Sequence, residues 1–504
     1  MKRWSWLLVA ALVASPAIAD DKKKDDKKAK EAPVAAAAPQ QDALAAAEAK
    51  LAAGDSDGAV AALEKAMAGD PKAALRLGVL RENRGELDLA VDAYKAAADK
   101  LGGPAKGEAL GRMAVVQDTR GMAESGASAE AAVAADAEGT WPAIALSYRR
   151  AHEGKADEAV ALAQKAVAAG VGAAGKAALG HALEAKGDMA GAEAAYREAL
   201  AAEPKAIAPI VGLATVLRET NRAAEAEPML NKVIDASPGA VEAYKERARV
   251  RIALGRSQDA LGDANLAAAM GENDASAQKL VLEVKVARAL QALGEGQTDL
   301  AVQDLTALRD QNPDSGAVRL GLGRAQIARR DPAAALAELQ KAVEIEPKNA
   351  EAQYQLGYVQ QVMKQNAAAA VGPYEQAVAL EPGNGQFRTS LGSALLDAGQ
   401  AERAVAELTK VTSAEGYSGS QAWFLLGVAQ FKANRFKEAV PALEKSLAIK
   451  ADNAMAEGVL AWSYFGLKDA ANFKVHGAKA KALGFKDPQL FDRLAKVEAG
   501  QAIK

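Results

Sequence analysis

WFLLGVAQFKANRFKEAVPALEKS, residues 423–446, reads as two short helices joined by a tight turn. Leu426 beside Gly427 pairs a buried knob with a small neighbour, so a second helix can lie close. Asn434 suits the left-handed residue that follows a helix end. Ala439 falls where two helices cross, and a small side chain there permits the crossing.

The same markers recur along the chain. The crossing alanines are Ala59, Ala90, Ala159, Ala192, Ala226, Ala260, Ala301, Ala335, Ala370, Ala404 and Ala439. Their intervals are 31, 69, 33, 34, 34, 41, 34, 35, 34 and 35, and the 69 is two periods around one degenerate unit. Leu followed by Gly or Ala keeps the same beat at Leu77, Leu179, Leu213, Leu322, Leu356, Leu391, Leu426 and Leu460. A turn residue sits ahead of nine of the alanines: Gly54, Gly85, Gly154, Gly187, Asn221, Gly255, Gly296, Gly399 and Asn434. Proline closes units at Pro71, Pro204, Pro238, Pro313, Pro347 and Pro382, because it cannot continue a helical hydrogen-bond ladder. Apolar residues between markers fall at helical spacing, as at Leu336, Leu339 and Val343.

This pattern resembles the tetratricopeptide repeat family, whose unit runs W-x2-L-G-x2-Y, then A-x3-F, a further alanine and P. Trp423, Leu426, Gly427, Ala439, Leu443 and Ser446 follow it. So do Leu356, Gly357, Ala370, Tyr374, Ala377 and Pro382, with one residue inserted in the turn. The likeness covers about residues 40 to 487. It implies an all-α, right-handed superhelical solenoid of about 12–13 helix-turn-helix repeats. A single unit cannot bury its apolar face, so stability depends on stacking. We expect a weak unit at 105–139, an insertion near 274–281 and an array spanning 42–487. Residues 488–504 are expected to form a capping helix.

The N-terminus reads as an export signal. Lys2 and Arg3 precede the apolar run Trp4–Ala14, Pro16 breaks it, and Ala17-Ile18-Ala19 is an A-x-A cleavage site. The run is too short for a membrane span of about 20 residues. Cleavage after Ala19 and a periplasmic location are expected. Residues 20–41 mix DDKKKDDKK with Ala and Pro and read as a disordered tether. The chain has no cysteine, so it enters an oxidising compartment without mispairing. It has 62 basic and 65 acidic residues; losing Lys2 and Arg3 leaves 60 against 65, a net charge of −5. That balance gives no reason to expect nucleic acid binding.

The sequence holds no G-x-S-x-G elbow, H-E-x-x-H or P-loop, so neither an enzyme nor a bound cofactor is expected. His152 and His181 fall on the groove face of adjacent first helices. They read as two polar groove residues or as a metal or pH-sensitive contact, and no cysteine or acidic cluster completes a metal shell. His476 reads as a solvated or packing residue.

The resemblance implies that first-helix positions two, five, nine and twelve face the concave surface. Mapped on the C-terminal repeats, they give Tyr354, Tyr358, Phe424, Val428, Phe431, Met455, Trp462 and Phe465 as a partner-binding groove. Arg218, Lys245 and Arg249 form a possible seat for an acidic segment. We expect a periplasmic scaffold or adaptor for an envelope assembly such as a secretion, pilus, motility or polysaccharide-export machine. The alternative is a module that binds cell-wall glycan or exported polysaccharide.

Overall fold

The computed structural model describes residues 41–271 and 274–503. The expected signal peptide, and all of the tether except Gln41, lie outside the described residues. The described residues form 27 α-helices and no strand. The first pairs are α1 (Gln41–Ala52) with α2 (Ser56–Met67), α3 (Pro71–Asn83) with α4 (Leu87–Ala98), and α5 (Gly103–Thr119) with α6 (Ser125–Ala135). Then come α7 (Thr140–His152) with α8 (Ala156–Ala168), α9 (Ala173–Lys186) with α10 (Met189–Ala202), and α11 (Ile207–Glu219) with α12 (Ala223–Ala236). They are followed by α13 (Val241–Ala253) with α14 (Ser257–Met270), α15 (Ala275–Gly294) with α16 (Thr298–Gln311), and α17 (Gly316–Arg329) with α18 (Pro332–Ile345). The last are α19 (Ala350–Tyr358) with α20 (Ala367–Leu380), α21 (Gly385–Asp397) with α22 (Ala401–Thr412), α23 (Ser420–Lys432) with α24 (Phe436–Ile449), and α25 (Ala454–Gly466) with α26 (Ala470–Ala482). The helix α27 (Pro488–Glu498) packs on α26 at the end. The chain is an all-α repeat solenoid of thirteen pairs.

All eleven marker alanines are the fourth residue of a second helix, and all are fully buried. The small residue of the Leu-Gly pair is needed for the same contact. A Cβ on Gly427 would lie 2.5 Å from Leu443, and one on Gly78 would lie 2.4 Å from the Tyr94 ring. All nine turn residues read from the sequence have positive φ. Four further units place Gly121, Arg330, Gln365 and Lys468 in that conformation. Three of those are neither Gly nor Asn, which hid their turns from a reading based on residue type. Asp or Asn caps many helices, as where Asp55 Oδ1 accepts from the Gly58 N–H at 2.8 Å.

The irregular stretches are helical. The unit at 105–139 is a complete hairpin, α5 and α6, with Ser128 in the slot of the crossing alanine. In the last pair the slot holds Phe473, fully buried against Leu490 and Leu494 of α27. The extra residues near 274–281 lengthen α15 to 20 residues instead of forming a loop. The extra residue in the tenth pair lies in the first helix and not in the turn. A π-helical segment, Val359–Met363, absorbs it, with Lys364 N–H donating to Val359 O at 2.9 Å.

The N-terminal half coils back on itself. The turn of the second pair meets the start of α13 so tightly that a Cβ on Gly85 would lie 2.8 Å from Ala240 Cα. Beside it, Arg120 Nη1 donates to Asp274 Oδ2 at 2.6 Å, across 154 residues of sequence. Lys245 Nζ donates to the same oxygen at 3.2 Å, and Glu242 Oε2 lies 2.8 Å from Lys245. Side chains of Arg120, Lys245 and Asp274 are at most 4% exposed. This buried ion cluster closes one superhelical turn.

Candidate binding cavity

The closed turn surrounds a cavity of about 1000 Å³. Its wall is one face of successive first helices. Trp141, Ile144, Tyr148 and Ala151 come from α7, and Ala174, Ala177, His181 and Glu184 from α9. These are positions two, five, nine and twelve of each helix, spaced to share one helical face. Val79 and Glu82 of α3 and Ala208, Val211 and Thr215 of α11 obey the same rule. Arg112, Val115 and Asp118 of the longer α5 complete that side.

Aromatic rings form one surface. Tyr148 stacks on His181 with centroids 4.4 Å apart, and His181 stacks on His152 at 5.5 Å. His152 Nε2 lies 3.2 Å from Asp118 Oδ2. That hydrogen bond raises the His152 pKa against the opposing effect of burial. His181 goes the other way: burial holds it neutral, with its pKa lowered to about 4. Its Nδ1 is buried and has no hydrogen-bond partner in the structure. Arg112 lies 3.7 Å from the Trp141 ring centroid, a cation–π contact.

Carboxylates dominate the charge. Glu82, Asp118, Glu184, Glu203, Glu219 and Glu242 line the cavity, against Arg76, Arg112 and Arg249. The arginines are held by carboxylates: Arg76 by Glu48 at 2.6 Å, Arg112 by Glu108 at 2.9 Å, and Arg249 by Glu246 at 3.4 Å. Glu82 and Glu184 each accept a hydrogen bond from a tyrosine of the following helix, Tyr94 and Tyr196. Burial raises both carboxyls despite those bonds, Glu184 to about 7. Burial also raises the Tyr148 hydroxyl, and Asp118, Glu184 and Glu82 all act on it in the same direction. Three carboxyls from three repeats thus share the cavity lining with Tyr148.

The site residues expected from the sequence are distributed differently. Tyr354 stacks on Phe387 at 4.8 Å, and Tyr358 packs beside Leu356. Phe424 and Phe431 pack with Leu443 and Leu460, Phe431 also meets Phe436 at 5.7 Å, and Val428 packs against the neighbouring cluster. Trp462 donates to Asp487 Oδ2 at 2.8 Å, tying α25 to the N-cap of α27, and meets Phe465 edge-on at 5.5 Å. Met455 is 55% exposed. Seven of these eight side chains thus fall into separate partly buried groups along the array, and Met455 stands apart on the surface. Of the three cations, Arg218 and Arg249 converge on Glu246, and Lys245 is buried in the closing ion cluster. All three are compensated, so they leave no free positive seat. His476 is packed, with Nδ1 2.6 Å from Glu457 and its ring stacked on Tyr464.

Sequence reasoning missed Trp141, Tyr148 and Glu184, although the position rule that selected the C-terminal residues selects them too. No group of three or more potential metal ligands occurs among the described residues. Among those residues no helix is long and apolar enough to cross a membrane.

Models of the tetratricopeptide repeat match residues 44–104, 183–246, 292–356 and 389–454, together just over half of the chain. No curated protein matches the sequence. The chain is similar to a solved Cut9–Hcn1 hetero-tetramer of APC/C, at 13% identity over 91% of this chain and 96% of that one, with a TM-score of 0.39. It is also similar to YrrB, described as a TPR protein with an unusual peptide-binding site, at 20% identity over 38% of this chain and 97% of that one, TM-score 0.35. A tetratricopeptide repeat protein from Parabacteroides merdae is similar at 16% identity over 50% of this chain and 97% of that one, TM-score 0.32. The repeat fold is generally a non-enzymatic scaffold. On the matched repeats and the thirteen stacked helix pairs, the chain belongs to the tetratricopeptide repeat family and is a scaffold for protein–protein interaction.

Proposed function

We propose that this scaffold works in the periplasm, where it holds a segment of an envelope protein inside its N-terminal superhelical turn. The cavity carries the reading. One face of consecutive first helices encloses about 1000 Å³ and presents aromatic rings beside charged groups. Pockets that bind specifically combine apolar walls with a few placed polar groups, and aromatic anchors supply much of the binding energy. The export signal read at residues 1–19 and the absence of cysteine support the location.

A photo-crosslinking residue at Thr215, on the cavity wall, tests the proposal against one at the exposed Leu89. The full chain is expressed in a bacterium and released by osmotic shock. We expect release with the periplasmic fraction, and a discrete crosslinked envelope protein from position 215 only. Adducts from position 89 alone would overturn the cavity as the seat. Retention in the cytoplasm would overturn the location. Recovery of glycan in place of protein would favour a wall-binding module.

A further inference from the structure

We propose that the segment held in this cavity is basic: a lysine or arginine side chain seats among Glu82, Asp118 and Glu184, while apolar neighbours on the same segment pack on Trp141 and Tyr148. This rests on the reading of the cavity as the partner's seat and specifies the partner's chemistry.

Charge complementarity is the first support. Six carboxyl groups face three arginines across the lining, and a cation seated among them would draw the buried Glu82 and Glu184 into their charged form. Each arginine already pairs with a carboxylate, and the partners of Arg76 and Arg249, Glu48 and Glu246, lie off the lining. An acidic segment would meet like charge with no free cation to receive it. A basic one would place its charge in a partly desolvated acidic chamber, where a charge-assisted hydrogen bond is stronger than one between neutral groups.

Geometry supplies the second support. Glu82, Asp118 and Glu184 come from α3, α5 and α9 and line the same cavity as Tyr148 of α7. Their present partners leave acceptor capacity. Glu82 and Glu184 each take one tyrosine hydroxyl, and Arg112 lies 3.7 Å from Glu82. Asp118 meets His152 through one oxygen. An ammonium offers three donors and a guanidinium five, which matches acceptors arriving from several directions. His181, on the same wall, keeps a buried Nδ1 without a partner.

The aromatic surface is the third support. The stem of a lysine or arginine is apolar, and a cation over an aromatic face is attracted by the ring quadrupole. Arg112 already makes such a contact with Trp141 from within the chain.

Fluorescence anisotropy with the full chain tests this. The probe is a short labelled peptide alternating leucine and lysine, compared with counterparts carrying glutamate or serine in place of lysine. The lysine peptide should bind roughly tenfold or more tightly than either counterpart. Glu82→Gln with Glu184→Gln should weaken it by roughly tenfold or more. Glutamine keeps an acceptor for each tyrosine, so the helical circular dichroism and its melt should persist. Should that pair fail to fold, Asp118→Asn alone gives the same readout. Equal binding of the three peptides, or no loss in a folded variant, would overturn the proposal. A crosslinked partner at position 215 with charge-blind peptide binding would sink the basic segment and leave the scaffold reading standing. Selective lysine-peptide binding with no envelope protein captured would do the reverse.

Discussion

Replacing Asp274 by alanine removes the oxygen on which Arg120 and Lys245 converge, at 2.6 and 3.2 Å. Both cations are nearly inaccessible to water, so neither can be rehydrated without movement. Breaking a buried pair by removing one partner costs about 3–5 kcal/mol. Here Asp88 still meets Arg120 at 2.8 Å and Glu242 still meets Lys245 at 2.8 Å, which brings the loss to about 2 kcal/mol. Asp274 also caps α15, accepting from the N–H groups of Ser276 and Ala277, and losing a cap costs about 1 kcal/mol. The two parts can be separated. Asparagine caps as well as aspartate does, so Asp274→Asn keeps the cap through Oδ1 and puts an amide N–H2 where Oδ2 accepted from Arg120 and Lys245, removing the ionic contact. Asp331→Ala removes only a cap, at 3.0 Å to the Ala334 N–H. Because each repeat contacts mainly its neighbours, the closing contact can fail while every hairpin stays folded. Distance measurements between spin labels on the second and seventh pairs read that opening. Asp274→Asn should lengthen and broaden the distance at unchanged helicity, and Asp331→Ala should not. An unchanged distance distribution in Asp274→Asn would refute the ion cluster as what closes the turn.

Glu184 and His181 should pull the pH dependence of stability in opposite directions. Glu184 holds its proton in the fold up to about pH 7, against 4.5 unfolded, so its contribution is full below pH 4.5 and is lost as pH rises to 7. The loss is about 3 kcal/mol at most. His181, lowered to about 4 from 6.5, contributes stability above pH 6.5 that is lost as pH falls to 4. Urea melts should therefore show stability rising with pH between about 4 and 6.5 in Glu184→Gln, and falling in His181→Asn. Phe473→Ala should cost about 3–5 kcal/mol and loosen α27, seen as faster amide exchange in residues 488–498. Gly54 and Gly85 share a left-handed φ of 80° and 75°, but only Gly85 has a backbone atom within 3 Å of an added Cβ. Gly54→Ala should cost about 1 kcal/mol in thermal melts, and Gly85→Ala clearly more.

The residues that carry the repeat were legible because each answers a local need. A crossing alanine, a small neighbour of a buried leucine and a left-handed turn residue are dictated within one hairpin, and one hairpin is written in one stretch of sequence. The units that departed did so where another residue took the position: the small Ser128 in one alanine slot, Phe473 in the last one, where it fills the space beneath α27, and Arg330, Gln365 and Lys468 at the turn. The extra turns of α15 and the π-helical residue of the tenth pair were visible as altered spacing. Spacing alone could not place them inside helices.

The sequence by itself determined that this chain stacks paired helices, and the family resemblance named the first-helix positions expected to face inward. Only the tertiary structure decided where those faces enclose anything. Closure joins Gly85 to Ala240 and Arg120 to Asp274, more than 150 residues apart, and no local periodicity encodes such a meeting. It is set by the small rotation each repeat adds to the last, summed over about five units until the coil returns to itself. That sum turned Lys245 from a groove cation into a buried tie, and gathered Glu82, Asp118, Tyr148 and Glu184 from four first helices around one cavity.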